Sequence, residues 1–241
     1  MRNSEKILVA VDFDGTITQQ DVGALLFDTF SHKMSRKIVS LWLKGEINSK
    51  ECLEKECELL EVTKSELKKF ARAQKIDEHF SSFVDLCKRE KLRLVILSDG
   101  LDFYIRLILK ESGLDGIPFR SNVLRFEKER PKPEFPHYHR GCGNCGNCKR
   151  YHLLSLKRAG QKIVYIGDGL SDKCAVREAD LVFAKNDLRK FCVKEHIRHF
   201  PFRDFEEVIR IFREALLEHR NLFPFGGDGR VKRRPRLGRK R

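Results

Sequence analysis

The chain has 241 residues, 41% of them apolar and 35% charged, with a formal net charge of +14 at pH 7. That length suits one sizeable domain, or one domain with a substantial insertion, and the apolar fraction excludes wholesale disorder. No run approaches the ~18 consecutive apolar residues of a spanning helix, and Asp12 interrupts the first apolar stretch too early for a secretory core, so a cytoplasmic protein without a transmembrane segment is expected.

Residues 7–11 form a short apolar run with β-branched members that enters Asp12-Phe13-Asp14-Gly15-Thr16. This pattern predicts a buried strand running into a turn. Residues 20–90 are rich in Leu, Lys and Glu and hold no convincing strand, which predicts several helices. Thr63 with Glu66 forms a capping box for one of them. Phe27 and Trp42 read as core residues. Residues 92–97 predict a second buried strand, ending at Ser98-Asp99-Gly100, and a helix follows over 101–112. Short strands are expected within 117–127, after which Pro131, Pro133 and Pro136 break the pattern.

Cys142, Cys145 and Cys148 then stand at Cys-x2-Cys-x2-Cys spacing, with His137, His139 and His152 nearby. Soft sulfur favours Zn²⁺, and one further ligand would complete a four-coordinate structural site. A disulfide or a reduced structural turn is also open. Cys52, Cys57, Cys87, Cys174 and Cys192 lie in apolar or helical contexts, where core packing is the default. Residues 149–159 predict a helix, 163–166 a third strand ending at Gly167-Asp168-Gly169, 180–184 a fourth strand, and 205–217 a final amphipathic helix. Residues 229–241 carry Arg230, Lys232, Arg233, Arg234, Arg236, Arg239, Lys240 and Arg241 with no acid, so this tail holds +8 of the +14. It reads as a disordered extension that either attracts nucleic acid or another anionic surface, or merely solubilises the chain end.

Alternating buried strands and helices predict a mostly parallel α/β sheet. Sites in such sheets lie beyond the carboxyl ends of the strands. Asp12, Ser98 and Asp168 each follow a predicted strand by one residue, so they converge despite their separation, and Lys149 at a helix start can join them. Singly, each has a plainer role as a cap or a surface residue. Together they support phosphoryl transfer. Carboxylates, a backbone carbonyl and water can hold Mg²⁺. Asp12 can attack phosphorus, and Asp14 can protonate the leaving alcohol and then activate water. Ser98 can donate to a phosphoryl oxygen, and Lys149 can neutralise developing charge. Asp168 can ligate Mg²⁺, with Asp172 completing or orienting its water shell. Donors around Gly15 or Gly100 can add anion contacts.

This ordered set resembles the haloacid dehalogenase-like phosphatase superfamily. Asp12-Phe13-Asp14-Gly15-Thr16 is similar to its first motif, Ser98 to the second, Lys149 to the third, and Gly167-Asp168-Gly169-Leu170-Ser171-Asp172 to the fourth. The resemblance implies a Rossmann-like core with an inserted helical cap. Asp12 would be the nucleophile, Asp14 the acid/base, and Asp12, Asp14 and Asp168 the Mg²⁺ ligands, with Asp172 behind them. The implied division is a catalytic core over 1–17 and 91–220, a helical cap over 18–90, and a basic, disordered tail over 221–241. The long helical insertion resembles the phosphoserine-phosphatase-like class. Asp12 to Thr18, Asp21 and the Cys-rich segment ending at Cys148-Lys149 are more similar to the methionine-salvage 2-hydroxy-3-keto-5-methylthiopentenyl-1-phosphate phosphatase group. That group is related to phosphocholine/phosphoethanolamine and pyridoxal-phosphate phosphatases. Asp21 matches the acidic position that contacts the substrate amine in phosphoserine phosphatases, but it is Asp in place of Glu, and Asp99 replaces Gly after Ser98. Arg36 and Trp42 are further candidates for substrate selection. The expected function is Mg²⁺-dependent hydrolysis of a small phosphorylated metabolite through an aspartyl-phosphate. A related phosphotransferase is the nearest alternative, and a nucleic-acid-binding protein using the tail and the Cys cluster is the alternative from another class.

Overall fold

Strand β1 (Ile7–Val11) is buried at all five residues, as a parallel strand covered on both faces must be. It pairs in parallel with β2 (Arg93–Leu101) on one side and β5 (Lys162–Gly167) on the other. Strand β3 (Phe119–Glu127) extends the sheet beyond β2, while β6 (Leu181–Ala184) and the two-residue β7 (Phe200–Pro201) extend it beyond β5. An antiparallel strand, β4 (Arg130–Glu134), closes the edge and gives the order β4-β3-β2-β1-β5-β6-β7. The computed structural model describes residues 7–128 and 130–217. The basic tail over 221–241 and its expected disorder lie outside the described residues.

Pro131 and Pro133 fall inside β4, where the sequence pattern predicted a break. Their spacing of two puts both missing N–H groups on the same side of the strand. An edge strand needs donors on one side only, so it tolerates them.

The period-two alternation of β1 divides the core between the faces of the sheet. Ile7, Val9 and Val11 pack with Phe80 and Phe83 of α5 (Phe80–Arg89) and with Phe205, Val208 and Phe212 of α9 (Phe205–Leu217). The Phe80 and Phe205 rings meet edge to face at 4.8 Å. Leu8 and Ala10 face the other way, toward Leu153 of α7 (Lys149–Leu156) and Leu188 and Cys192 of α8 (Asn186–Lys194). Helix α7 stops at Leu156, short of residue 159, because Lys157 turns to extended backbone (φ −64°, ψ 124°).

Four helices stand between β1 and α5: α1 (Val22–Phe30), α2 (Ser35–Leu43), α3 (Ser49–Glu58) and α4 (Lys64–Arg72). Reciprocal capping boxes open α3 (Asn48 with Glu51) and α4 (Thr63 with Glu66), which satisfies orphan N–H donors that would otherwise fray these short helices. Helix α6 (Asp102–Glu111) follows β2 and packs against α4. Cys52, Cys57, Cys87 and Cys192 are buried as expected, and burial pushes the Cys87 thiol up to about 12. Cys174 is only half-buried and lies beside Cys145 instead of in the core. Among the described residues no helix is long and apolar enough to cross a membrane.

Candidate active site

The carboxyl ends of β1, β2 and β5 converge as parallel neighbours must. Asp12 follows β1 directly, and its Oδ1 accepts from the Phe13 N–H at 2.8 Å and from Lys149 Nζ at 2.6 Å. Lys149 opens α7, is 1% exposed, and also donates to Asp172 Oδ1 at 2.6 Å and Ser171 Oγ at 3.0 Å. Asp172 is held from both sides. Tyr165 Oη donates to Oδ1 at 2.5 Å, and the Asp168 and Gly169 N–H groups donate to Oδ2 at 3.1 Å each. Asp168 accepts from Thr16 Oγ1 at 2.9 Å and from Asn186 Nδ2 at 3.2 Å.

Oxygens of Asp12, Asp168 and Asp172 all lie within 4.8 Å of one another. The Asp14 carboxylate points away from this cluster, which leaves its backbone carbonyl as the group that could join the metal ligands. Asp14 is extended (φ −70°, ψ 125°) and Gly15 turns the chain at φ +69°, which separates the two side chains. Asp14 Oδ2 accepts from Ser98 Oγ at 3.0 Å and Tyr104 Oη at 2.9 Å, and Oδ1 accepts from the Gly23 N–H at 3.2 Å. Gly15 must also lack a side chain, because a Cβ there would stand 2.6 Å from Asp168 Oδ2. A Cβ on Gly100 would run into Tyr104 Oη and Asp14 Oδ2.

Burial, followed by the neighbouring Asp172 charge, pushes Asp12 well above the usual carboxylate range, despite the counteracting Lys149. Asp168 is raised for the same two reasons. Burial alone would lower Lys149, but Asp12 and Asp172 outweigh it and hold the ammonium charged. The cluster thus places three hard carboxylates in low dielectric beside one buried cation. This donor set and this surplus of negative charge fit Mg²⁺. Asp14 is raised to about 7, first by burial and then by the Asp21 charge.

The chain matches the family described as "Putative Phosphatase" over residues 7–216. It is 31% identical over 208 residues to a 2-hydroxy-3-keto-5-methylthiopentenyl-1-phosphate phosphatase of Bacillus pumilus, covering 85% of this chain and 90% of that protein. The chain belongs to this phosphatase family, within the haloacid dehalogenase-like superfamily. A phosphatase of the same name from Brevibacillus brevis is 28% identical over 222 residues, covering 89% of this chain and 99% of its own length. The fold is also that of a solved phosphoserine phosphatase carrying a phospho-aspartyl intermediate analogue (TM-score 0.68, 20% identity, 86% of this chain and 98% of that one). Fold, family and acidic cluster together make the chain a phosphatase of the Asp-nucleophile, Mg²⁺-dependent type.

Asp21 caps α1 through its Oδ1, 2.8 Å from the Ala24 N–H, two residues before the Gly23 N–H that holds Asp14. Arg36 instead forks onto Asp28 (Nε to Oδ1 3.0 Å), and Trp42 is half-buried on α2. The phosphatase also uses residues that sequence reasoning left out. Tyr104 donates to Asp14 from 90 residues away, and Tyr165, on β5, donates to Asp172 seven residues later. Asp99, noted only as a departure from Gly, is a junction. Its Oδ2 accepts from Ser49 of α3 at 2.9 Å and its Oδ1 from the Asn147 N–H at 2.8 Å. The replacement itself was the available signal, because an acid beside a phosphate site repels substrate unless its charge is tied up.

Proposed function

We propose that the phosphatase hydrolyses 2-hydroxy-3-keto-5-methylthiopentenyl-1-phosphate, or a close phosphorylated metabolite, by forming an aspartyl-phosphate on Asp12. The observation that carries the chemistry is Asp12 at 2.6 Å from Lys149, with Asp168 and Asp172 alongside and Asp14 held apart near neutrality. The curated relatives' shared name supports the substrate. A carboxylate oxygen of Asp12 attacks phosphorus, and the bond to the leaving oxygen breaks as that oxygen takes a proton from Asp14. Water then gives a proton to Asp14 and attacks the phosphorus, which releases inorganic phosphate and restores Asp12. Lys149 balances charge on the nucleophile and the phosphoryl oxygens, while Ser98, Tyr104 and Gly23 orient Asp14. Asp12 and Asp168, with the Asp14 backbone carbonyl, would hold Mg²⁺, and Asp172, whose two oxygens already accept four hydrogen bonds, would stand behind them. The metal would supply positive charge against the anionic substrate.

Within the expected cap of 18–90, helices α1 to α4 serve to exclude water and select the leaving group, with Asp21 at the entrance, whereas α5 packs on the sheet. The free thiols fit a reducing, cytoplasmic compartment. The test is phosphate release from a panel containing the methionine-salvage phosphate, phosphoserine, phosphoethanolamine, phosphocholine, pyridoxal phosphate and nucleotides, compared by kcat/KM with and without Mg²⁺. The methionine-salvage phosphate should lead the panel. Its inactivity beside efficient turnover of another member would replace the substrate. Equal Mg²⁺-dependent turnover by Asp12→Asn would remove the nucleophile.

A further inference from the structure

We propose that Cys142, Cys145, Cys148 and Cys174 form a closed four-thiolate zinc site that clamps the loop entering α7 to the turn following β5. The sequence spacing offered three sulfurs and lacked a fourth. The fold supplies it from Cys174, two residues after Asp172. Sγ atoms of Cys142, Cys145 and Cys174 lie within 4.8 Å of one another, with Cys145 and Cys174 at 4.0 Å. Tetrahedral Zn²⁺ with bonds of about 2.3 Å sets its sulfurs about 3.8 Å apart, so only small shifts would close the site. Disulfide sulfurs, at about 2.0 Å, are far closer than these. Cys148, three residues after Cys145, supplies the fourth sulfur: its thiol meets those of Cys145 and Cys142 but lies outside the 4.8 Å set, so it must turn inward to close the site. Cys142, Cys145 and Cys148 stand on one loop without helix or strand, turned by Gly143 at φ +67°, and Cys174 stands on the turn after β5.

The position of the cluster gives it a purpose. Cys148 immediately precedes Lys149, and Cys174 follows Asp172 closely, so the metal would fix the two backbones that bring these side chains to 2.6 Å. The same loop meets the cap helix α3. The Ser49 N–H donates to the Asn144 carbonyl at 2.9 Å, and the Gly146 N–H donates to Ser49 Oγ at 2.9 Å. Four protein ligands leave no open position for substrate or water, so the zinc positions catalytic residues and takes no part in the chemistry.

The full chain, purified without chelator, should carry one zinc per chain by elemental analysis. Its Co²⁺-exchanged form should show the near-ultraviolet thiolate-to-metal band and strong visible bands of tetrahedral sulfur ligation. Cys142→Ser and Cys174→Ser should each weaken zinc affinity by at least about tenfold, whereas Cys57→Ser, in the core, should leave it unchanged. The wild-type Co²⁺ spectrum keeps the test valid if a variant fails to fold. A metal-free chain with all four thiols reduced after exposure to equimolar Zn²⁺ would overturn the proposal, as would a disulfide within the cluster. Zinc content is read equally in Asp12→Asn, so loss of the zinc site and loss of the phosphatase reading remain separate results.

Discussion

Two clusters of metal-ligating side chains are built on the same pair of segments, and they solve opposite problems. Cys148-Lys149 and the Asp168–Cys174 stretch each contribute to both. The carboxylate cluster gathers hard anions in a buried pocket, and Lys149 neutralises only part of that charge. The thiol cluster gathers soft groups at contact distance, with the Cys145 and Cys174 sulfurs 4.0 Å apart. The first cluster keeps an unbalanced negative charge that a cation can meet. The second can close completely around an ion. Burial of unpaired charge therefore marks reactivity here, while saturation of ligands marks support.

The sharpest way to break this contrast is at Asp12. Asp12→Asn should lower phosphate release by about 10⁴-fold or more, because the neutral amide cannot form the covalent intermediate. The folded chain should persist, since one of several mutually repelling buried charges has gone. Single-turnover phosphate release alongside urea unfolding checks both halves. Lys149→Met should do the reverse to stability. It leaves Asp12 and Asp172 buried without their cation, an arrangement that costs about 3–5 kcal/mol in urea unfolding. An unchanged midpoint would mean that the carboxylates are solvated or protonated at rest.

Much of this arrangement was legible because the chemistry sits next to strong local signals. The apolar run Ile7–Val11 and the strands ending near Ser98 and Asp168 announce a parallel sheet, and a parallel sheet brings those residues to one crevice. The rest depends on pairs far apart in sequence. Tyr104 reaches Asp14 from α6 across 90 residues, and nothing in its own helix marks it apart from a core aromatic. Cys174 read as core packing because it stands beside the apolar Ala175 and Val176, and only tertiary structure turns its sulfur toward Cys145. The strand containing Pro131 and Pro133 was hidden because proline usually ends a strand, and the open-edge position that excuses it is not a local property.

Glu56 sharpens the comparison from outside both clusters. Among the described residues this buried carboxylate meets no cation, only the Cys52 thiol at 3.6 Å, and burial raises it from 4.5 to about 7. A carboxyl whose folded pKa is raised binds more protons folded than unfolded across that window. Its stability contribution is therefore full below pH 4.5 and is lost as pH rises through about 7. Glu56→Gln should stabilise the chain by roughly 2 kcal/mol at about pH 8 and leave it nearly unchanged at about pH 4. Thermal unfolding at both pH values checks this, and an equal effect at the two would show that packing, not ionisation, governs the site.

The smallest expected effect lies at the boundary between the reactive cluster and its supports. Tyr104 Oη donates to Asp14, and this bond favours the ionised carboxylate, opposing the burial that raises it to about 7. Tyr104→Phe removes that donor while keeping the ring packed near Phe13, whose centroid is 6.3 Å away. Asp14 then holds its proton to higher pH. The alkaline limb of kcat/KM, where the general acid loses its proton, should shift upward, with a loss at neutral pH of only about threefold to tenfold. Losing a mere structural contact would lower activity without moving the limb. A limb that stays in place would therefore assign the proton transfer to a group other than Asp14, and it would leave Tyr104 as a spacer that keeps Gly100 and Asp14 apart.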